Sequence, residues 1–265
     1  MLEIRNITKT FNKGTVNEKK ALRGVNLTLN DGDFVTVIGG NGAGKSTLLN
    51  AIAGVWPIDT GAIVIDGKDV TKLPEYKRAA FLGRVFQDPM NGTAATMGIE
   101  ENLALALRRG HIRGLTPGIK KEERKLYTDM LKRLGLGLED RLTSKVGLLS
   151  GGQRQALTLL MSTLQRPKLL LLDEHTAALD PKTAKKVLDL TAEMVEEQNL
   201  TTLMITHNMR DAIQMGNRLI MMHEGNVIYD VAGEEKKHLT VEDLLHKFEE
   251  ASGEEFANDR MMLAK

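Results

Sequence analysis

The stretch Ile38-Gly39-Gly40-Asn41-Gly42-Ala43-Gly44-Lys45-Ser46-Thr47 decides how this chain is read. It fits G-x-x-x-x-G-K-[ST], a phosphate-binding loop. Phosphate oxygens need several N–H donors converging on one small volume. Backbone comes that close only where side chains are missing, which accounts for Gly39, Gly40, Gly42 and Gly44. In such a loop Lys45 sets a charge on the β- and γ-phosphates, and the Ser46 hydroxyl ligates Mg²⁺. Phe34-Val35-Thr36-Val37-Ile38 reads as a buried strand entering the loop. Ser46 to Ala53 reads as a helix leaving it, its positive N-terminus facing the phosphates. A glycine-rich turn without a ligand would not need a strand before it and a helix after it.

Two further stretches carry chemistry. Leu169-Leu170-Leu171-Leu172-Asp173-Glu174 is a buried strand ending in two acids. Such a strand delivers a carboxylate rigidly to a Mg²⁺ shell. Asp173 holds the metal, and Glu174 polarises the attacking water. Leu149-Ser150-Gly151-Gly152-Gln153 opens another helix with a serine cap and two glycines, a second anion site. One phosphate loop needs no second phosphate site of its own. The economical reading is that Ser150, Gly151, Gly152 and Gln153 complete the nucleotide pocket of another molecule.

With these motifs in this order, the chain resembles the ATP-binding subunits of ABC transporters. The phosphate loop corresponds at Gly39 to Thr47, including Asn41 and Ala43. The Q-loop corresponds at Gln87, the signature at Leu149 to Gln153, and the Walker B strand at Leu169 to Asp173 with Glu174 following. The D-loop matches Ala177-Ala178-Leu179-Asp180, the switch histidine His207, and the adenine-stacking aromatic Phe11. The resemblance implies an α/β fold: a P-loop NTPase core with an antiparallel β subdomain and an inserted α-helical subdomain. It implies a head-to-tail homodimer closing on two ATPs with Mg²⁺. Each ATP would meet Lys45 and Ser46 of one copy and Ser150 and Gly152 of the other. His207 would hold the γ-phosphate and the water, and Gln87 would sense Mg²⁺ and the membrane partner. Glu174 and His207 are then the catalytic pair, with Ser46, Gln87 and Asp173 around the metal.

One departure stands out. The family usually has proline after the glutamate, and here it is His175. Either the histidine is satisfied inside the fold, or it reaches the γ-phosphate region or a partner's D-loop. Spacing alone leaves both open.

No sustained heptads fill the stretch between Lys45 and Leu149, unlike the chromosome-maintenance relatives. The chain carries one ATPase module and no fused membrane domain, which points to a free-standing importer subunit. An exporter or lipoprotein-extraction subunit is the alternative. The string Asp173 to Ala184 and the ending Phe256-Ala257-Asn258-Asp259-Arg260-Met261-Met262 resemble ATPases of tryptophan/tyrosine importers. That resemblance implies an integral-membrane permease, an extracellular substrate-binding lipoprotein, and a peripheral position on the cytoplasmic face of the membrane.

Composition agrees with these expectations. Of 265 residues 42% are hydrophobic, enough for a core, and Lys+Arg 36 against Asp+Glu 35 leaves a formal charge of +1, which argues against broad nucleic-acid binding. With no cysteine there is no disulfide framework. No run approaches the ~18 apolar residues of a membrane span, and the first residues lack the basic leader and apolar core of a signal peptide. One ATP-binding domain is expected over 1–265. Residues 1–87 and 146–231 form its β subdomain and core, 88–145 the helical subdomain, and 232–265 a terminal helix and tail.

The expected strands besides these are Leu2 to Ile7, Leu22 to Leu29, Ala62 to Gly67, Gly83 to Pro89 and Thr201 to Ile205. A hairpin is expected from Arg218 to Tyr229. Helices are expected over Ile99 to Arg109, Ile119 to Leu136, Ser150 to Leu164, Pro181 to Gln198 and Val241 to Glu250. Asn12 to Lys20 and Gly110 to Gly118 are expected as loops.

Overall fold

The computed structural model describes residues 1–111 and 117–252. The middle of the loop at 110–118 and the ending quoted above lie outside the described residues. In chain order come β1 (Leu2–Phe11), β2 (Lys19–Leu29), β3 (Phe34–Ile38), α1 (Lys45–Ala53), β4 (Thr60–Ile65) and the short β5 (Lys68–Asp69). Then follow α2 (Glu75–Arg78), β6 (Leu82–Val85), α3 (Ile99–Leu107), α4 (Lys121–Leu134), α5 (Gly151–Thr163) and β7 (Leu169–Asp173). The remainder is α6 (Pro181–Gln198), β8 (Thr202–Ile205), α7 (Met209–Gln214), β9 (Arg218–His223), β10 (Asn226–Ala232), α8 (Gly233–Lys237) and α9 (Val241–Ser252).

Among the described residues the strands form two sheets. One is antiparallel, in the order β2-β1-β4-β5. The other runs β10-β9-β3-β8-β7-β6; its pairs are parallel except for β10 on β9. A parallel sheet has helices on both faces, so its strands read as continuous apolar runs. The four leucines of β7 divide between those faces. Leu169 and Leu171 pack into the cluster holding Leu48, Leu49 and Ile52 of α1. Leu170 and Leu172 pack into the cluster built from α3, α4 and α5, with Ile99, Leu103, Tyr127, Leu131 and Leu157. The period-two alternation of a strand is what sends them to opposite sides.

Helix α1 has nine residues, too short to persist alone in water. Burial of its apolar side chains holds it on the sheet. Its C-terminal carbonyls are held by Arg78, which is buried. One guanidinium nitrogen donates to Ala51 O (2.7 Å) and Ile52 O (2.8 Å), and the others donate to Leu73 O (2.8 Å) and Thr71 O (2.9 Å). A cation at a helix C-terminus also meets the negative end of the helix dipole. Helix α4 buries only Tyr127, Leu131 and Leu134, so the charge run at its start is a solvated face. Arg124 from that run pairs with Glu100 of α3 at 2.7 Å.

Some boundaries differ from the sequence reading. β1 runs on to Phe11 because Asn6 takes φ 48°, a bulge that breaks the alternation without ending the strand. The expected loop at Asn12 to Lys20 is shorter, since β2 starts at Lys19. The helices α2, α7 and α8 have four to six residues and left no periodic signal.

Candidate functional site

The parallel register lines up the chemistry. Val37 and Asp173 both pair with Ile205, and Val85 pairs with Leu172. The residues that follow these strand ends therefore emerge along one edge of the sheet: the glycine loop after β3, Glu174 after β7, His207 after β8 and Gln87 after β6. Ligands of open α/β sheets bind outside the carboxyl ends of the strands for this reason.

Within the loop, Gly39 and Gly44 are required by space. A Cβ on Gly39 (φ 150°) would stand 2.2 Å from Met222 O, and one on Gly44 (φ 102°) 2.5 Å from Ala21 O. Gly44 is the N-cap of α1, so the first free N–H groups of that helix face outward at the loop. The Lys45 ammonium is buried and donates to Gly39 O (2.6 Å) and Gly40 O (3.1 Å). It is thereby held across the loop. A cleft of about 550 Å³ opens over this loop. Asn41 to Thr47 line it together with Phe11, Lys19, Gln87, Glu174 and His207. Phe11 is set edge-on against Trp56, with ring centroids 5.0 Å apart, which fixes the ring at the cleft margin.

Glu174 takes φ 47°, a left-handed conformation uncommon for a residue with a Cβ. Its N–H donates to Ile205 O (3.0 Å), tying the turn to β8. His207 Nε2 lies 2.6 Å from Glu174 Oε2, which places the ring against the carboxylate. Glu174 is 9% exposed and His207 40%, so the acid is sheltered behind a ring that meets solvent. Asp173 does not line the cleft. Burial raises its carboxyl pKa; Arg84, 3.7 Å away, acts against that shift, and Glu174 adds to it.

Ser150, Gly151, Gly152 and Gln153 do not line this cleft either. They begin α5 as a reciprocal cap. Gln153 N–H donates to Ser150 Oγ (3.3 Å), and Ser150 N–H donates to Gln153 Oε1 (3.1 Å). Gly152 is packed on α6, where a Cβ would come 2.1 Å from Thr183 Cγ2. The helix start is therefore built and pinned, but outside that cleft.

His175 is 1% exposed. Thr191 Oγ1 donates to Val187 O (2.8 Å), which leaves its oxygen to accept from His175 Nε2–H at 3.0 Å. That fixes the tautomer and leaves Nδ1 buried without a partner. Burial lowers its pKa to about 4. Of the two readings, the structure supports the internal one. Lys19 and Ala21 line the cleft and were not singled out from the sequence. The Lys19-Lys20 pair ahead of the β2 alternation was the available signal.

Comparison with known proteins follows this geometry. The family model described as ABC transporter matches residues 22–177. A tyrosine transport ATP-binding protein of Clostridioides difficile (strain R20291) is 48% identical over 251 residues, covering 95% of this chain and all of the relative. A spermidine/putrescine import ATP-binding protein, PotA of Haemophilus ducreyi (strain 35000HP), is 34% identical over 87% of this chain; the match spans 57% of that longer protein. The solved dimeric structure of an ATP-binding cassette in a post-hydrolysis state, bound to ADP and Pi, superposes with TM-score 0.75 at 32% identity. It covers 88% of this chain and 98% of that one. Sequence and fold agree over nearly the whole length: this chain belongs to the ABC transporter family, as an ATP-binding cassette that hydrolyses ATP to power transport.

Proposed function

We propose that this chain is the ATPase subunit of an importer of aromatic amino acids, and that two copies close head to tail around two ATPs. The observation that carries the dimer is the separation of the two anion sites. Lys45, Glu174 and His207 surround one cleft, while the capped start of α5 at Ser150 lies off it. A second copy supplies Ser150 and Gly152 to that cleft. Its Gly151 and Gln153 shape the helix start. The solved relative is itself described as dimeric. The substrate class rests on the relative named for tyrosine transport. Among the described residues, no helix is long and apolar enough to cross a membrane. A permease therefore supplies the passage, and an external binding lipoprotein supplies the selectivity. The chain sits on the cytoplasmic face of that membrane.

In this reading Asn41 to Thr47 wrap the phosphates with backbone N–H groups, Lys45 places its charge on the β- and γ-phosphates, and Phe11 stacks on adenine. Glu174 orients and deprotonates the attacking water, while His207 fixes the carboxylate and meets the γ-phosphate. Ser46, Gln87 and Asp173 offer oxygen donors suited to Mg²⁺. Among the described residues no cluster of three or more His, Cys, Asp or Glu side chains could hold a metal unaided. That donor set fits an ion that keeps waters and takes phosphate oxygens. When bound, Mg²⁺ would supply positive charge to offset the negative charge of the phosphates. Residues 1–87 with 146–231 act as the nucleotide-binding body, 88–145 as the helical part that faces the permease, and 232–265 as a terminal appendage.

The test is affinity capture of the tagged chain from detergent-solubilised native membranes, read by mass spectrometry. Recovery of a small polytopic permease with a binding lipoprotein supports the importer, and ligand screening of that lipoprotein reports the substrate. A permease of the lipoprotein-extraction kind, or recovery with soluble proteins alone, overturns it.

A further inference from the structure

Arg84 is a cation that none of the assigned roles uses. It is in β6 and pairs in register with Leu171 of β7, two residues before Asp173. One guanidinium nitrogen donates to Asn50 Oδ1 on α1 (2.7 Å) and lies 3.7 Å from Asp173 Oδ2. Asn50 in turn donates to Ser46 O (2.8 Å). The guanidinium carbon sits 4.4 Å from the centroid of Phe86, the residue before Gln87. The Arg84 and Asp173 side chains are 14% and 17% exposed, so water screens the pair poorly. Arg84 Nε is buried with no hydrogen-bond partner. This one side chain thus reaches Asp173 directly. It also holds Asn50, whose amide bonds the Ser46 backbone carbonyl, and it lies over the ring of Phe86, the residue before Gln87.

We propose that Arg84 is a positioning residue for the divalent cation. It is the resident counter-ion of Asp173, and it sets how tightly the site holds Mg²⁺ on ATP. This rests on the Mg²⁺ reading above. Before the metal arrives, Asp173 stands beside the acid Glu174, and Arg84 offsets their charge. A cation bound there would share the Asp173 carboxylate with the guanidinium, and two positive charges on one poorly screened carboxylate would oppose each other. Arg84 therefore weakens the metal's hold. With the cation gone from the site, Arg84 again neutralises Asp173 and keeps its carboxylate in place.

The test compares wild type with Arg84→Met, Arg84→Gln and Arg84→Lys in the full chain. Mn²⁺ is the probe, titrated by electron paramagnetic resonance at saturating non-hydrolysable ATP analogue. Analogue affinity in EDTA is measured alongside. Removing the charge is expected to tighten Mn²⁺ by about three- to tenfold in both neutral variants. Arg84→Lys stays within about twofold of wild type, while metal-free analogue binding weakens in the neutral variants, where Asp173 and Glu174 lose their counter-charge. Arg84→Gln retains a donor for Asn50 and serves if Arg84→Met does not fold. Unchanged or weaker Mn²⁺ binding in a folded neutral variant overturns the proposal. A lysine variant that shifts as far as the neutral ones also overturns it. If wild type with analogue binds Mn²⁺ no more tightly than the free analogue does, the Mg²⁺ reading itself fails, a result distinct from the other two.

Discussion

His175 should make this protein acid-sensitive by a calculable amount. Its Nε2–H is committed to Thr191, and its Nδ1 is buried without an acceptor. Protonation would place a charge and an unpaired donor inside the fold, which burial resists by lowering the pKa from 6.5 to about 4. In the unfolded chain the ring takes up a proton near its ordinary pKa. Between these two values the unfolded state binds more protons, so stability rises with pH and is lost as pH falls. From about pH 7 to about pH 4.5 the loss from this residue is roughly 2.5 kcal/mol. His175→Gln removes the titration and keeps a donor for Thr191. Urea unfolding across that range, without nucleotide, reads the difference. Wild type should lose about 2–3 kcal/mol more than the variant on acidification. Parallel curves would refute the argument and show that the buried ring is charged or exposed in solution.

Ser150→Arg should abolish turnover while leaving ATP binding to the isolated monomer intact. Equilibrium binding checks this, and weakened monomer binding would contradict the shared site. Arg78→Met should remove the side-chain donor of Ile52 O, Leu73 O and Thr71 O, while Ala51 O keeps the Gly54 N–H. The expected cost is at least about 3 kcal/mol in urea unfolding; a loss below about 1 kcal/mol would mean water replaces the guanidinium. Phe11→Ala should weaken ATP by about 1–2 kcal/mol and inorganic phosphate not at all, measured by calorimetry.

Local patterns carried much of this molecule. The glycine loop sits between the strand and helix its flanks required, and the leucine run of β7 is a strand buried on both faces. The cap at Ser150 is legible because Ser150 and Gln153 are three residues apart, within one helical turn. Groups paired across the fold were not legible. The environment of His175 is decided by Thr191, sixteen residues on and midway along α6, and no spacing rule connects them. Arg84 reads as an ordinary residue in a short strand until β6 is placed beside β7 and α1 beneath them. β1 was cut short because a bulge at Asn6 interrupts its alternation. The three shortest helices are set by the ends of the sheet rather than by a periodic face.

The central claim is that two copies share each ATP and that Glu174 is the base. Light scattering on Glu174→Gln with MgATP, against the same protein with MgADP, tests it most directly. The account predicts a dimer with MgATP that turns over no ATP, and a monomer with MgADP. A Glu174→Gln protein that stays monomeric with ATP bound, or hydrolyses it at the wild-type rate, would contradict it.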